Sequence, residues 1–160
     1  MSHDAHEYTA TVRWSRDGAT FSDSRYSRGH SWSFDCGIEV LASASPSVVP
    51  LPLSREDAVD PEEAFVAAVS SCHMLTFLSI AAKKRYVIDS YVDHALGIMT
   101  PNEKGKLYVS KVTLDPEIKF SGDKIPTPEQ IADLHHISHQ ECFIANSVIT
   151  EIVVAGIPSH

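Results

Sequence analysis

The sequence predicts an α+β domain in the order β-β-β-α-β-β-α-β, and three observations carry that reading. Short stretches of alternating apolar and polar residues stand near the N-terminus. A long uncharged segment with a strong helix start fills the middle, and further alternating stretches, a second helix start and a final apolar run follow it. With 160 residues, 43% of them hydrophobic, the chain suffices for one domain, 1–160, around one core, and it carries no internal repeat or low-complexity tail.

Taken in order, Glu7 to Trp14 sets Tyr8, Ala10, Val12 and Trp14 against Thr9, Thr11 and Arg13, the pattern of a half-buried strand. Arg16-Asp17-Gly18 reads as a turn. A strand around Thr20 to Ser24 and another carrying Trp32 and Phe34 would complete an antiparallel meander. Ala42 to Asp57, rich in Ser and Pro, reads as a loop. Asp60-Pro61-Glu62-Glu63 then starts a helix: Asp caps the free amides, Pro fits the first turn, and the acids face the positive end of the dipole. The helix is expected to be long and buried, running to about Lys84. Tyr91 to Met99 and Lys106 to Leu114 form a hairpin about the turn 101–105. Thr127-Pro128-Glu129-Gln130 has the form of a capping box opening a second helix toward His139, and Val148 to Val154 ends the chain as a strand.

Charge narrows the function. With 13 Lys+Arg against 21 Asp+Glu, the net charge of -8 disfavours nucleic acid and anionic membrane surfaces, both of which demand a basic face. Residues 64–82 hold no formal charge and are long enough to raise the question of a membrane span. Ser70, Ser71, His73, Thr76 and Ser79 would then lie in hydrocarbon, so a core helix is the better reading and no membrane is expected. Met1 to Arg13 shows no apolar signal region, and the three cysteines are too few for a disulfide framework, so a reducing, cytoplasmic setting is expected.

Cys72 lies in the middle of the first helix, within Ala67-Ala68-Val69-Ser70-Ser71-Cys72-His73, and Cys142 lies near the end of the second, within Ser138-His139-Gln140-Glu141-Cys142-Phe143-Ile144-Ala145-Asn146-Ser147. Either would serve as a small core hydrophobe. Together they also offer the two-thiol layout of a peroxide-reducing cycle. His135, His139 and Cys142, spaced by four and three, offer a different chemistry, a zinc site on one helical face, although no second Cys stands two to four residues away. No Gly-rich phosphate loop exists, and no cofactor is implied.

Four motifs in order resemble the OsmC/Ohr superfamily: the Arg16-Asp17-Gly18 turn, the Asp60-Pro61-Glu62-Glu63 helix start, Cys72 ten residues after Glu62, and Cys142 in its His-Gln-Glu-Cys…Asn-Ser setting. The resemblance spans nearly the whole chain. It departs at His73 and Phe143, which follow the two cysteines, and at Cys36, which has no counterpart. An OsmC-like fold in an intertwined homodimer is implied, with a cysteine-based peroxidase that reduces organic hydroperoxides to alcohols.

On this resemblance Cys72 attacks the peroxide, and Cys142 closes a disulfide on the resulting sulfenic acid. Arg16, with Arg28 as second candidate, activates the Cys72 thiolate, and Glu62 orients the guanidinium. On one straight helix ten residues place Glu62 and Cys72 roughly 15 Å apart along the axis, so the arginine must reach between them or Glu62 must come from a second subunit. A dithiol, such as one on a lipoylated protein, then reduces the disulfide, and apolar residues such as Phe65, Met74 and Phe143 suit alkyl substrates. The same fold without peroxidase activity, binding small apolar ligands, is the further alternative.

Overall fold

A computed structural model describes residues 4–159; residues 1–3 and 160 lie outside the described residues. The chain forms two compact units that divide between Ala64 and Phe65.

The first unit is built on a three-stranded antiparallel sheet of β1 (Ala10–Arg13), β2 (His30–Phe34) and β3 (Glu39–Ala42), in that order. An antiparallel meander forms as expected, but β3 was not foreseen and the strand expected at Thr20 to Ser24 is absent. Thr20 to Ser24 is a pair of tight turns rather than a strand, because Phe21 and Ser24 take φ of 66° and 63°, which no extended ladder accommodates. Trp14, Phe21 and Tyr26 cluster instead, with ring centroids 4.7 to 5.8 Å apart. β1 has the expected alternation without the expected burial: Val12 is 64% exposed. The first helix starts as the sequence requires, with the Glu63 amide donating to Asp60 Oδ1 at 2.8 Å and the Asp60 amide to Glu63 Oε2 at 3.3 Å.

That helix, α1 (Pro61–Lys83), continues unbroken into the second unit. By length and composition it is apolar enough to cross a membrane, yet it works as a packing helix. Val69, His73, Phe77 and Ala81 recur every fourth residue and form one buried stripe. The rest is less covered than a fully buried helix would be, and Leu75 is 61% exposed. Along the stripe, Phe77 and Ala81 join Tyr86 and Leu134 in one apolar cluster, while Val69 joins Val112 and Leu114 in another.

Four strands lie between α1 and the second helix where the sequence suggests two. Tyr91 to Met99 breaks at His94-Ala95 into β4 (Val87–Asp93) and β5 (Leu96–Pro101). β5 forms the expected hairpin with β6 (Leu107–Leu114). β4 pairs instead with β7 (Pro116–Ser121), a strand the sequence analysis did not assign, whose proline sits at the strand start where its missing donor costs least. The Asp115 amide donates to Asp93 Oδ1 at 2.7 Å and pins the crossover. β8 (Glu151–Val154) runs parallel to β6.

The second helix, α2 (Pro128–Glu141), opens on the expected capping box: the Gln130 amide donates to Thr127 Oγ1 at 3.2 Å, and the Thr127 amide to Gln130 Oε1 at 2.9 Å. It buries Leu134, His135 and Ser138.

Gly97 of β5 lets the strand approach α1. A Cβ there would lie 2.5 Å from Cγ2 of Val66, a β-branched side chain with little rotamer freedom in a helix. Gly97→Ala is expected to destabilise the protein by about 1–3 kcal/mol in urea unfolding. Adding Val66→Ala is expected to recover part of that loss, and simple additivity of the two variants would contradict the contact.

Candidate redox site

The second unit brings Cys72 and Cys142 together. Cys72, half-buried on α1, is one residue from the buried stripe, and its carbonyl accepts from Thr76 Oγ1 at 2.9 Å. Cys142 is the C-terminal cap of α2 and is fully buried. Both are free thiols, and Cys72 lies near enough to Cys142 to influence its ionisation. Burial first, and the neighbouring Cys72 side chain second, push the Cys142 thiol up to about 11. It therefore rests protonated at neutral pH.

The segment after Cys142 explains why this cysteine is held so firmly. Residues Ala145–Ser147 form a 3-10 turn, and the Ala145 amide donates to Cys142 Sγ at 3.4 Å. Asn146 Nδ2 donates to the carbonyls of Gln140 and Cys142, at 2.8 and 3.0 Å, and Ser147 Oγ to that of Phe143 at 2.7 Å. Asn and Ser thus satisfy the carbonyls left open at the helix end. Phe143 points away from this turn and is 80% exposed, so its bulk does not disturb the cap.

Arg16, Arg28 and Glu62 belong to the first unit. Arg16 sits in the expected turn, where its carbonyl accepts from the Ala19 amide at 3.1 Å and Gly18 takes φ of 82°. Arg28 Nη1 donates to the carbonyls of Ser24 and Tyr26, at 2.8 and 2.5 Å, and its guanidinium lies 3.8 Å over the Tyr26 ring. With Val12, Trp14, Phe21 and His30 it lines an open apolar hollow of the first unit. Glu62 Oε2 is buried with no hydrogen-bond partner among the described residues. Cys36 is exposed in the turn between β2 and β3.

A buried histidine pair, not evident from the sequence, stands beside the cysteines. His73 Nε2 and His135 Nδ1 are 3.0 Å apart, one donating and the other accepting, and the rings are near-parallel at 12°. Phe77 covers His135 with a centroid separation of 4.5 Å. His135 is thus engaged by His73 rather than turned toward a zinc ion. Among the described residues no group of three or more His, Cys, Asp or Glu side chains is placed to hold a metal. A cavity of about 220 Å³ opens onto the pair between His136, His139 and the Ile152–Val154 strand. The signal was present: His73 occupies an apolar stripe, where a polar side chain demands a partner.

Two further polar groups flank α1. Ser70 Oγ donates to Asp93 Oδ2. Burial, reinforced by the Asp93 carboxylate, raises the Tyr91 phenol well above its ordinary range.

Comparison with known proteins gives a consistent set of relatives. The family model described as OsmC-like protein matches residues 54–155. The solved structure of an OsmC-like protein of unknown function from Vibrio cholerae is 58% identical, covering 94% of this chain and 98% of its own, with a TM-score of 0.91. An organic hydroperoxide resistance protein from Elizabethkingia anophelis is 18% identical over 94% of this chain and 96% of its own, with a TM-score of 0.68. Another from Legionella pneumophila is 17% identical over 93% and 96%, with a TM-score of 0.64. At such identities the last two show a shared fold. No curated protein sequence matches the chain.

Desolvation holds His73 and His135 each near pKa 4, against an ordinary 6.5; His139 adds to the first shift and His73 to the second, while Asp93 opposes the first. Folded values below the unfolded one mean that the unfolded chain binds more protons between pH 6.5 and 4. Stability from this source is complete above pH 6.5 and falls as pH drops toward 4. Urea titrations from pH 7 to 4.5 are expected to show a loss of a few kcal/mol that is absent when both histidines are replaced by leucine.

Proposed function

The chain belongs to the OsmC-like protein family, which includes organic hydroperoxide resistance proteins, and on that premise we propose that it is a cysteine-based peroxidase reducing organic hydroperoxides. The observation that carries this reading is the proximity of two free thiols, one half-buried and one held protonated.

The Cys72 thiolate attacks the distal peroxide oxygen, the O–O bond breaks, and the alkoxide takes a proton and leaves as the alcohol. Cys72 is then a sulfenic acid. Cys142 displaces its hydroxyl, which leaves as water with the Cys142 proton, and a disulfide forms. A dithiol, such as one on a lipoylated protein, returns both cysteines to thiols by exchange. Cys72 needs a cation to favour its thiolate, and Arg16, or Arg28 in second place, fills that role. Glu62 suits an orienting partner, since its buried, unmatched carboxylate oxygen calls for a donor. Exposed apolar side chains, among them Leu75, Leu107 and Ile149, fit a homodimer. A cytoplasmic location would keep the resting thiols reduced.

The test uses reduced protein and separate additions of cumene hydroperoxide and hydrogen peroxide, with disulfides mapped by mass spectrometry. The expected result is a rapid Cys72 to Cys142 bridge, faster with the organic peroxide, with one peroxide consumed per thiol pair. Cys72→Ser is expected to abolish consumption. Cys142→Ser is expected to permit one turnover and leave a trappable sulfenic acid. Thiols unchanged by either peroxide would overturn the peroxidase reading and favour ligand binding.

A further inference from the structure

We infer that the buried His73–His135 pair is a positioning clamp that holds α2 in register on α1, and so determines whether oxidised Cys72 closes onto Cys142 or is oxidised further. The inference rests on the peroxidase reading for its consequence, but not for its geometry.

His73 is the residue after Cys72 on α1, and His135 lies two helical turns before Cys142 on α2. Seven residues amount to roughly 10 Å along an α-helix and nearly two full rotations, so His135 and Cys142 project from almost the same face. The 3.0 Å bond between the rings therefore ties the two helices beside the first thiol and in line with the second. Disulfide closure tolerates little error: Cβ atoms must stand about 3.5–4.5 Å apart. A slip of α2 by one residue moves its end by about 1.5 Å and turns it by about 100°, which takes Cys142 out of range.

The other contacts between α1 and α2 do not fix that register. Leu134 packs in the apolar cluster with Phe77 and Ala81, and the Phe77 ring lies against His135. Such contacts are non-directional. The imidazole pair is directional, fully buried and placed where two apolar side chains would fill the same stripe without a desolvation cost. Its chemistry is thus better suited to setting a position than to adding stability.

The clamp matters at a branch point. The Cys72 sulfenic acid either condenses with the Cys142 thiol, giving a disulfide and water, or attacks a second hydroperoxide, giving a sulfinic acid and an alcohol. The first branch depends on where Cys142 stands; the second does not.

The deciding variant is H73L/H135L, which removes both hydrogen-bonding partners at once. Replacing both members of a buried bond by apolar groups of similar size is close to neutral for stability, so its melting temperature is expected to match or exceed that of the wild type. Its disulfide closure after cumene hydroperoxide is expected to slow by about ten- to a hundredfold, a cost typical of reacting groups misplaced by an ångström. Sulfinic acid at Cys72 is expected to accumulate in its place. His73→Gln, which keeps a donor and an acceptor, is expected to restore part of the closure rate. A folded H73L/H135L protein that closes as fast as the wild type, with no added sulfinic acid, overturns the clamp.

The same comparison is made with diamide, which takes two electrons and two protons from a thiol pair and needs no peroxide chemistry. Slower closure of the double variant with diamide supports the clamp even where the wild type ignores hydroperoxides, a result that would sink only the peroxidase reading. Equal closure by both proteins sinks the clamp alone.

Discussion

The buried stripe of α1 is the constraint on which the second unit depends. Val69, His73, Phe77 and Ala81 repeat at one-turn spacing and serve two apolar clusters at once. At Val69 the helix packs with Val112 and Leu114, and at Phe77 and Ala81 with Tyr86 and Leu134. Between them stands the one polar member, His73. Its imidazole cannot be left unmatched in that position without a cost comparable to a lost hydrogen bond, and His135 supplies the match. The requirement draws α2 to one place on α1, and the cysteine at the end of α2 arrives at Cys72 as a result.

The cap after Cys142 completes that placement from the other side. A helix end leaves carbonyls unsatisfied, and a cysteine there would ordinarily fray with the last turn. Here the Asn146 amide group and the Ser147 hydroxyl bind those carbonyls, while the Ala145 amide donates to the sulfur itself. The sulfur is therefore held by backbone and side-chain donors rather than by packing alone. The motif residues Asn146 and Ser147 have a structural purpose that requires no contact with substrate.

Much of this was legible in the sequence, because it rests on local chemistry. Asp60 and Thr127 cap helices for reasons visible within four residues, and the 101–105 turn announces itself by composition. The two cysteines and their motif settings pointed to one site. Illegible features depended on partners remote in sequence. Asp93, the last residue before the break in the expected strand, matters because it accepts from Asp115 and Ser70, and neither partner is signalled by periodicity. Phe21 and Ser24 looked extended by residue type, yet both adopt positive φ in the turns that assemble the aromatic cluster. His73 lay in plain view on an apolar stripe, but its partner is 62 residues away.

The protonation states fit a division of labour between these groups. Condensation of a thiol with a sulfenic acid expels hydroxide, which must become water; a resolving cysteine that still carries its proton supplies it. Cys142, pushed up to about 11, is such a donor. The neighbouring histidines, driven down to about 4, stay neutral at physiological pH and add no positive charge. They hold the helices without altering the charge at either sulfur. On the peroxidase reading, the buried imidazoles carry no charge with which to activate Cys72, which fits the proposal that a guanidinium does so.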